Sequence, residues 1–290
     1  MLPARFDYHR PETLEEALAL LDQHGEEAKV LAGGMSLIPL LKLRFASPSH
    51  LVDVNRISEL KGMAETDGHL AIKAVTRHRE LADSDLMKQR YPAIAAAAPQ
   101  VSDPLVRNMG TLGGSLSHAD PAGDFGSVML ALRAHVVLTG SGGERVVPID
   151  DFLLDTFTTA LQPTEVLREV RVPQPSPRSG GAYLKMERKV GDFATVAVAV
   201  ELSMDDGHIG QAGIGLTAVG PKNLRASEAE ASLAGAEPTE EAFAEAGRLA
   251  AQAASPNSDL RGSADYKRHV VEVFVRRGLA EAHRQATAQT

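Results

Sequence analysis

The sequence contains no cysteine and no tryptophan, and only 4 tyrosines and 8 phenylalanines in 290 residues. The missing thiols exclude the most. Iron–sulfur clusters, c-type haem, Cys-rich zinc sites, disulfides and cysteine nucleophiles all need them. Redox chemistry in this chain would therefore require an organic cofactor, or partners that carry the metal centres. Basic residues are outnumbered, 30 against 38 acidic ones, for a net charge of −8. That balance argues against a surface for nucleic acid or anionic lipid, which needs a basic patch. Long apolar runs are also absent. The longest, around Ala93–Ala98 and Phe193–Val200, are far short of the roughly 20 residues of a membrane span. No apolar h-region follows Met1, so no signal peptide is expected and a cytoplasmic location is the default.

What is present is ordinary for a globular chain: 43% hydrophobic and 23% charged residues, enough for a sizeable core. The length suggests about two domains. Thr13-Leu14-Glu15-Glu16 is a capping-box pattern ahead of apolar residues at helical spacing, so a helix is expected from Thr13 to about His24. Lys29–Ala32 and His50–Val54 read as strands, and Leu37–Arg44 as a helix that tolerates Pro39 in its first turn. Together they predict a small βαβ unit. Further on, Leu70–Val75, the hairpin Ala134–Pro148 and Val166–Val172 read as strands, Ala93–Pro99 as a helix, and Val101–Asp124 as loop-rich. Pro173–Gly181 carries the clearest linker composition, and a domain boundary is expected there. Beyond it come three strands, Ala182–Arg188, Ala194–Leu202 and Ile209–Val219. Three alanine-rich helices follow, Ser227–Leu233, Pro238–Ala254 and Ser263–Gln285.

Two segments carry chemistry: Leu31-Ala32-Gly33-Gly34-Met35-Ser36-Leu37 and Asn108-Met109-Gly110-Thr111-Leu112-Gly113-Gly114-Ser115-Leu116. Paired glycines leave no Cβ in the way, so backbone N–H groups can face a ligand. The first segment opens a helix, whose N-terminus favours phosphate, and only this one is expected to do so. Ser36, Thr111 and Ser115 add hydroxyls. Each turn alone reads equally as a tight turn; the pair suits a ligand with two phosphates, such as a dinucleotide. There is no Walker A sequence. Gly213-Ile214-Gly215-Leu216-Thr217-Ala218 fits G-x-G-x-x-A but sits in an alternating strand pattern with no helix after it. Neither Gly34-Met35-Ser36 nor Gly113-Gly114-Ser115 has the closing glycine of a nucleophile elbow. His118-Ala119-Asp120 has no second histidine at a coordinating spacing, so it reads as a turn with Asp120 as its former. Asp124 is the candidate acceptor for ribose hydroxyls. Lys185, Arg188 and Lys189 read as a solvated strand edge, or as cationic groups beside a cofactor ring. No catalytic residue and no metal ligand is singled out.

The combination of Ala32–Ser36, Arg107–Ser115, His118–Pro121 and Gly191-Asp192-Phe193-Ala194 resembles the FAD-binding medium subunits of the xanthine dehydrogenase and aerobic carbon monoxide dehydrogenase family. The resemblance runs from Phe6 to Tyr266. It implies an α+β fold. Residues 1–177 would form an FAD-binding domain of the vanillyl-alcohol-oxidase (PCMH) type, with subdomains at about 1–58 and 59–177. Residues 178–290 would form a C-terminal domain with a three-stranded antiparallel sheet and a helical bundle. It also implies that Ala32, Gly33, Gly34, Met35, Ser36 and Leu37 cradle the FAD pyrophosphate with Thr111, Leu112, Gly113, Gly114 and Ser115. Asp124 would meet the ribose or ribityl portion, and Leu167, Lys185 and Phe193 would lie by the flavin. Relatives often carry Gln or His at the position of Met35, and Trp or Tyr at that of Phe193. The polar contacts those side chains make would be lost here, while backbone contacts and ring stacking would remain.

The function so implied is electron relay in a molybdenum hydroxylase. A large subunit would hold molybdopterin cytosine dinucleotide, a small one two [2Fe–2S] clusters, and this chain FAD, in a dimer of heterotrimers. The complex would be cytoplasmic, with peripheral attachment to the inner face of the membrane left open. Two alternatives stand beside it: a self-sufficient flavin oxidoreductase of the same fold, or a structural subunit whose flavin site has degenerated. The substrate (carbon monoxide, a purine, an N-heterocycle or an aldehyde) and the electron acceptor are not legible.

Overall fold

The computed structural model describes residues 2–66 and 68–288. Met1 and Thr290, the outer limits of the two expected domains, lie outside the described residues.

The chain begins with strand β1 (Asp7–His9), helix α1 (Leu14–His24), strand β2 (Ala28–Leu31), helix α2 (Leu37–Leu43) and strand β3 (His50–Asp53). β3 lies between β1 and β2 and runs parallel to both, so the expected βαβ unit is present. The capping box forms: the Glu16 N–H donates to the Thr13 hydroxyl, and the Thr13 N–H to the Glu16 carboxylate. Leu14, Ala17 and Leu21 make the buried stripe of α1 and share a small core with Val52, Val54 and Ile57.

The second body is built on β4 (Met63–Thr66) and β5 (His69–Lys73). Six helices follow: α3 (His78–Asp83), α4 (Asp85–Arg90), α5 (Pro92–Ala97), α6 (Pro104–Met109), α7 (Leu112–His118) and α8 (Asp124–Ala131). Next come β6 (His135–Gly140), β7 (Gly143–Pro148), the short α9 (Ile149–Phe152), the ribbon β8 (Leu153–Asp155) with β9 (Thr158–Thr159), and β10 (Val166–Pro173). β10 enters between the two hairpins, giving an antiparallel sheet in the order β4-β5-β10-β6-β7. A bulge at Arg168 brings Leu167, Val170 and Val172 to one face, buried in the core of this body with Val136 and Leu138, while Val166 joins the core of the first body.

The loop-rich reading of Val101–Asp124 is corrected by α6 and α7. Asp103 caps α6, accepting from the Val106 N–H at 2.9 Å, and Thr111 caps α7, accepting from the Gly114 N–H at 3.1 Å. Each such cap is worth about 1 kcal/mol and offsets the roughly 1 kcal/mol that a helical glycine costs. The second glycine turn therefore starts a helix as the first does.

The third body is an antiparallel sheet of β11 (Ser179–Met186), β12 (Val196–Asp205), β13 (His208–Thr217) and β14 (Leu224–Arg225). The expected three strands gain a two-residue fourth. The linker is shorter than its composition suggests, because Ser179, Gly180 and Gly181 already pair with β12. Helices α10 (Ser227–Leu233), α11 (Glu240–Ala253) and α12 (Ala264–Ala288) complete the chain. Val196, Val198, Val200 and Leu202 of β12 join the core with these helices, whereas Ala197 and Ala199 join the core of the second body. The sheet is thus covered on both faces. On its inner face α8 lies almost in contact with the β13 backbone: a Cβ at Gly213 or Gly215 would overlap the carbonyls of Ala131 and Ser127. The G-x-G-x-x-A stretch is therefore strand, and its glycines admit a helix. Among the described residues no helix is long and apolar enough to cross a membrane.

Candidate cofactor site

A cleft of about 900 Å³ runs between the first body and the second, and the turn at Gly191-Asp192-Phe193 also lines it. Its volume lies near the top of the range for small-molecule sites.

The first wall is the turn between β2 and α2. Gly34 adopts φ +72°, the left-handed region where a side chain costs about 1 kcal/mol or more. The N–H groups of Gly33, Gly34, Met35 and Ser36 have no acceptor among the described residues. Ser36 stands at the N-cap of α2, yet its hydroxyl makes no capping bond. Four amides, a hydroxyl and the positive end of a helix thus converge without internal partners, the donor set of a phosphate cradle.

The second turn differs from what its sequence suggests. Its amides are already used: Leu112 donates to the Thr76 carbonyl, Gly113 to the Ala74 carbonyl, Gly114 to the Thr111 hydroxyl and Ser115 to the Thr111 carbonyl. Gly110, Thr111, Gly113, Gly114 and Ser115 line the cleft, where the amides of Gly110, Gly113, Gly114 and Ser115 are committed and the Ser115 hydroxyl has no partner among the described residues. Gly113 is packed against Ala74, the residue after β5, whose Cβ would lie 2.6 Å from one added at Gly113.

The two turns touch. Gly33 packs on Met109 and Gly110 so closely that a Cβ there would overlap the Met109 carbonyl. Two residues outside either motif fasten this contact. Asn55 donates to the Ala32 carbonyl at 2.7 Å. Arg77 donates to the Asn55 side-chain oxygen and to the Met109 carbonyl. Burial lowers the Arg77 pKa against the pull of Glu80 and Asp53. Sequence reasoning missed both residues, since their hydrogen bonds join positions more than 20 residues apart and leave no spacing signature.

His78 is a third residue it missed. It lines the cleft at 4% exposure, stacked on Phe125, and its Nδ1 is buried without a partner. Burial, reinforced by Arg77 and Arg107, lowers its pKa to about 4, so the ring is neutral at pH 7. His118 also lines the cleft, tilted against Phe157, and burial lowers its pKa against the influence of Asp120. Asp120 forms the expected turn, accepting from the Ala122 N–H at 2.9 Å.

Asp124 borders the cleft, but its carboxylate already has partners. Tyr183 donates to it at 2.6 Å and Lys185 lies 3.1 Å away. Burial raises the Asp124 pKa, and Lys185 and Tyr183 oppose that rise. The Lys185 side chain is 1% exposed and also donates to the Gln100 carbonyl. It stands behind Asp124 and does not line the cleft, so the solvated-edge reading does not describe it. Arg188, by contrast, lies in the turn after β11 and pairs with Asp192 at 3.0 Å. Leu112 too is fully buried, in the core. The other singled-out residues all border the cleft: Ala32 to Leu37, Thr111, Gly113, Gly114, Ser115, Leu167 and Phe193. Met35 and Phe193 are open to solvent at its mouth. Arg261 fixes the Phe193 turn, donating to the Phe193 carbonyl at 2.6 Å and to Asp192 at 3.1 Å. The lining therefore combines free amides with apolar surface from Leu161, Leu167 and Phe193. That arrangement fits a ligand with a pyrophosphate and a flat apolar ring.

Comparison with known proteins gives a consistent picture. Residues 4–175 match the model of the FAD binding domain in molybdopterin dehydrogenase, and residues 181–282 that of the CO dehydrogenase flavoprotein C-terminal domain. The chain is 43% identical to the carbon monoxide dehydrogenase medium chain of Hydrogenophaga pseudoflava over 97% of its own length and 98% of the relative's. It is 38% identical to the 6-hydroxypseudooxynicotine dehydrogenase complex subunit alpha of Paenarthrobacter nicotinovorans, with 99% and 97% covered. A solved carbon monoxide dehydrogenase from Hydrogenophaga pseudoflava contains a chain that superposes with a TM-score of 0.95 at 45% identity, covering 98% of this chain and 99% of that one.

Proposed function

Since the chain belongs to the family of FAD-binding medium subunits of carbon monoxide and xanthine dehydrogenase-like molybdenum hydroxylases, we propose that it is the electron-relay subunit of a heterotrimeric enzyme. The observation that carries this reading is the meeting of the two glycine turns at one cleft, in a chain without a single cysteine. Ala32 to Leu37 hold the pyrophosphate with their free amides and the Ser36 hydroxyl. Thr111 to Ser115 form the opposing wall. Asp124, kept in place by Tyr183 and Lys185, receives the ribose or ribityl hydroxyls. Leu167 and Phe193 shield the ring, and Lys185 sets positive charge behind it. The chemistry that bound FAD supplies is electron relay between [2Fe–2S] clusters of one partner and an external acceptor.

The small subunit then carries two [2Fe–2S] clusters and the large one molybdopterin cytosine dinucleotide, in a dimer of heterotrimers located in the cytoplasm. The absence of thiols supports this division of labour. So does the spread of relatives, named for different substrates at similar identity, as expected where substrate meets another subunit. Three hydrophobic cores support placing subdomains at about 1–58 and 59–177, with a second domain at 178–290. The test is the purified complex stripped of flavin and supplied with carbon monoxide, a purine, an N-heterocycle or an aldehyde. One substrate should still reduce the iron–sulfur clusters, while turnover with the external acceptor stops until FAD is restored. Unimpaired turnover of the flavin-free complex would refute the relay role.

A further inference from the structure

Away from the cleft, the first body brings together three histidines far apart in sequence. His9 ends β1, His50 begins β3 and His24 ends α1. His9 Nε2 and His50 Nδ1 are 3.1 Å apart. His24 stacks on His50 with ring centroids 3.6 Å apart, and the His9 ring lies 5.4 Å from that of His24. One ring nitrogen from each falls within 4.8 Å of the others. All three are half-buried, held by backbone in regular structure yet reachable from solvent.

The 3.1 Å separation matches the roughly 3.3 Å edge between two nitrogens on a tetrahedral ion with bonds of about 2.0–2.1 Å. A single N–H···N hydrogen bond also accounts for that distance, but it uses only two of the three rings. The third ring needs one side-chain rotation, turning its edge toward His50 in place of its face. Glu27 and Asp7 bring negative charge to the same spot. The donors are imidazoles with no oxygen cage around them, so Mg²⁺ and Ca²⁺ are poor candidates and Zn²⁺, Ni²⁺ or Cu²⁺ are good ones.

We infer that His9, His24 and His50 form a three-imidazole site for one divalent transition-metal ion, with Zn²⁺ the leading candidate and water as fourth ligand. Such an ion would tie β1, a three-residue edge strand with a single neighbour, and the end of α1 to β3. Its role is structural, since the site is separate from the residues that line the cleft.

The test uses the full chain in its complex, without a histidine tag, after treatment with a chelator. Zn²⁺ titrated by calorimetry should bind one equivalent per chain. At about 100 times its Kd it should raise Tm by about 5 °C or more, and Mg²⁺ should do neither. Co²⁺ as a probe should give the visible bands of a four-coordinate site. His24→Ala should abolish all three effects, and so should His9→Gln and His50→Gln. His208→Ala, at the exposed first residue of β13, should change none. The Tm of each variant before metal is added shows whether it folds. No binding up to millimolar Zn²⁺, or an equal response in His24→Ala, would overturn the site and leave a stacked, hydrogen-bonded histidine cluster.

Discussion

Gly33 packs so closely on Met109 that a single methyl group at Gly33 would overlap the Met109 carbonyl, which also accepts a hydrogen bond from Arg77. The cleft exists in its present shape because these two turns touch. Gly33→Ala should push them apart and disturb the four free amides. We expect FAD occupancy of the purified complex to fall at least tenfold with little change in far-UV circular dichroism, as for an overpacked contact costing about 1–3 kcal/mol. Full occupancy in this variant would show that the contact is incidental.

Asn55 and Arg77 should behave as one unit, because each is the other's partner between the turns. Asn55→Ala and Arg77→Ala should each weaken FAD by about 10–100-fold, the equivalent of roughly 1.5–3 kcal/mol for hydrogen bonds to a charged group. The double variant should cost little more than either one alone. Additive losses in a fluorescence titration would break this coupling.

Lys185 is the main counter-charge to the Asp124 carboxylate. Lys185→Met should strand that charge and destabilise the chain by about 3–5 kcal/mol. Asp124→Asn in the same chain should recover most of the loss. Denaturant midpoints of the four members of the cycle decide this; a Lys185→Met loss that Asp124→Asn leaves unrepaired would point to packing instead.

His78 gives a pH dependence with a definite sign. Its folded pKa of about 4 lies below the ordinary 6.5, so the unfolded chain takes up this proton first. The stability it contributes is complete above about pH 6.5 and is lost as pH falls toward 4, by up to about 3 kcal/mol. Wild type should therefore lose about 2–3 kcal/mol more than His78→Gln between pH 7 and pH 4.5 in urea unfolding. Equal losses would mean that His78 titrates normally.

The periodic elements were readable because their signals are local. The Thr13 capping box, the strand patterns at Val166–Val172 and Ile209–Val219, and the C-terminal helices each announce themselves within a few residues. What failed was local too, but weaker: helices α6 and α7 are six and seven residues long, start at side-chain caps, and one contains two glycines. The site was legible only as two glycine turns. That the second has spent its amides on Thr76, Ala74 and Thr111 depends on contacts with β5 and the residues after it, which spacing does not encode. Asn55 and Arg77, which fasten the two turns, and His78, which lines the cleft, take their places in the same non-local way. So do the three histidines, at positions 9, 24 and 50, which match no ligand-spacing motif.

The most direct measurement is the flavin content of the complex purified with this chain. Acid extraction should release one FAD per copy of the chain, since every contact proposed here is non-covalent. Absence of FAD from a complex that still oxidises its substrate and reduces its acceptor would contradict the account at its centre.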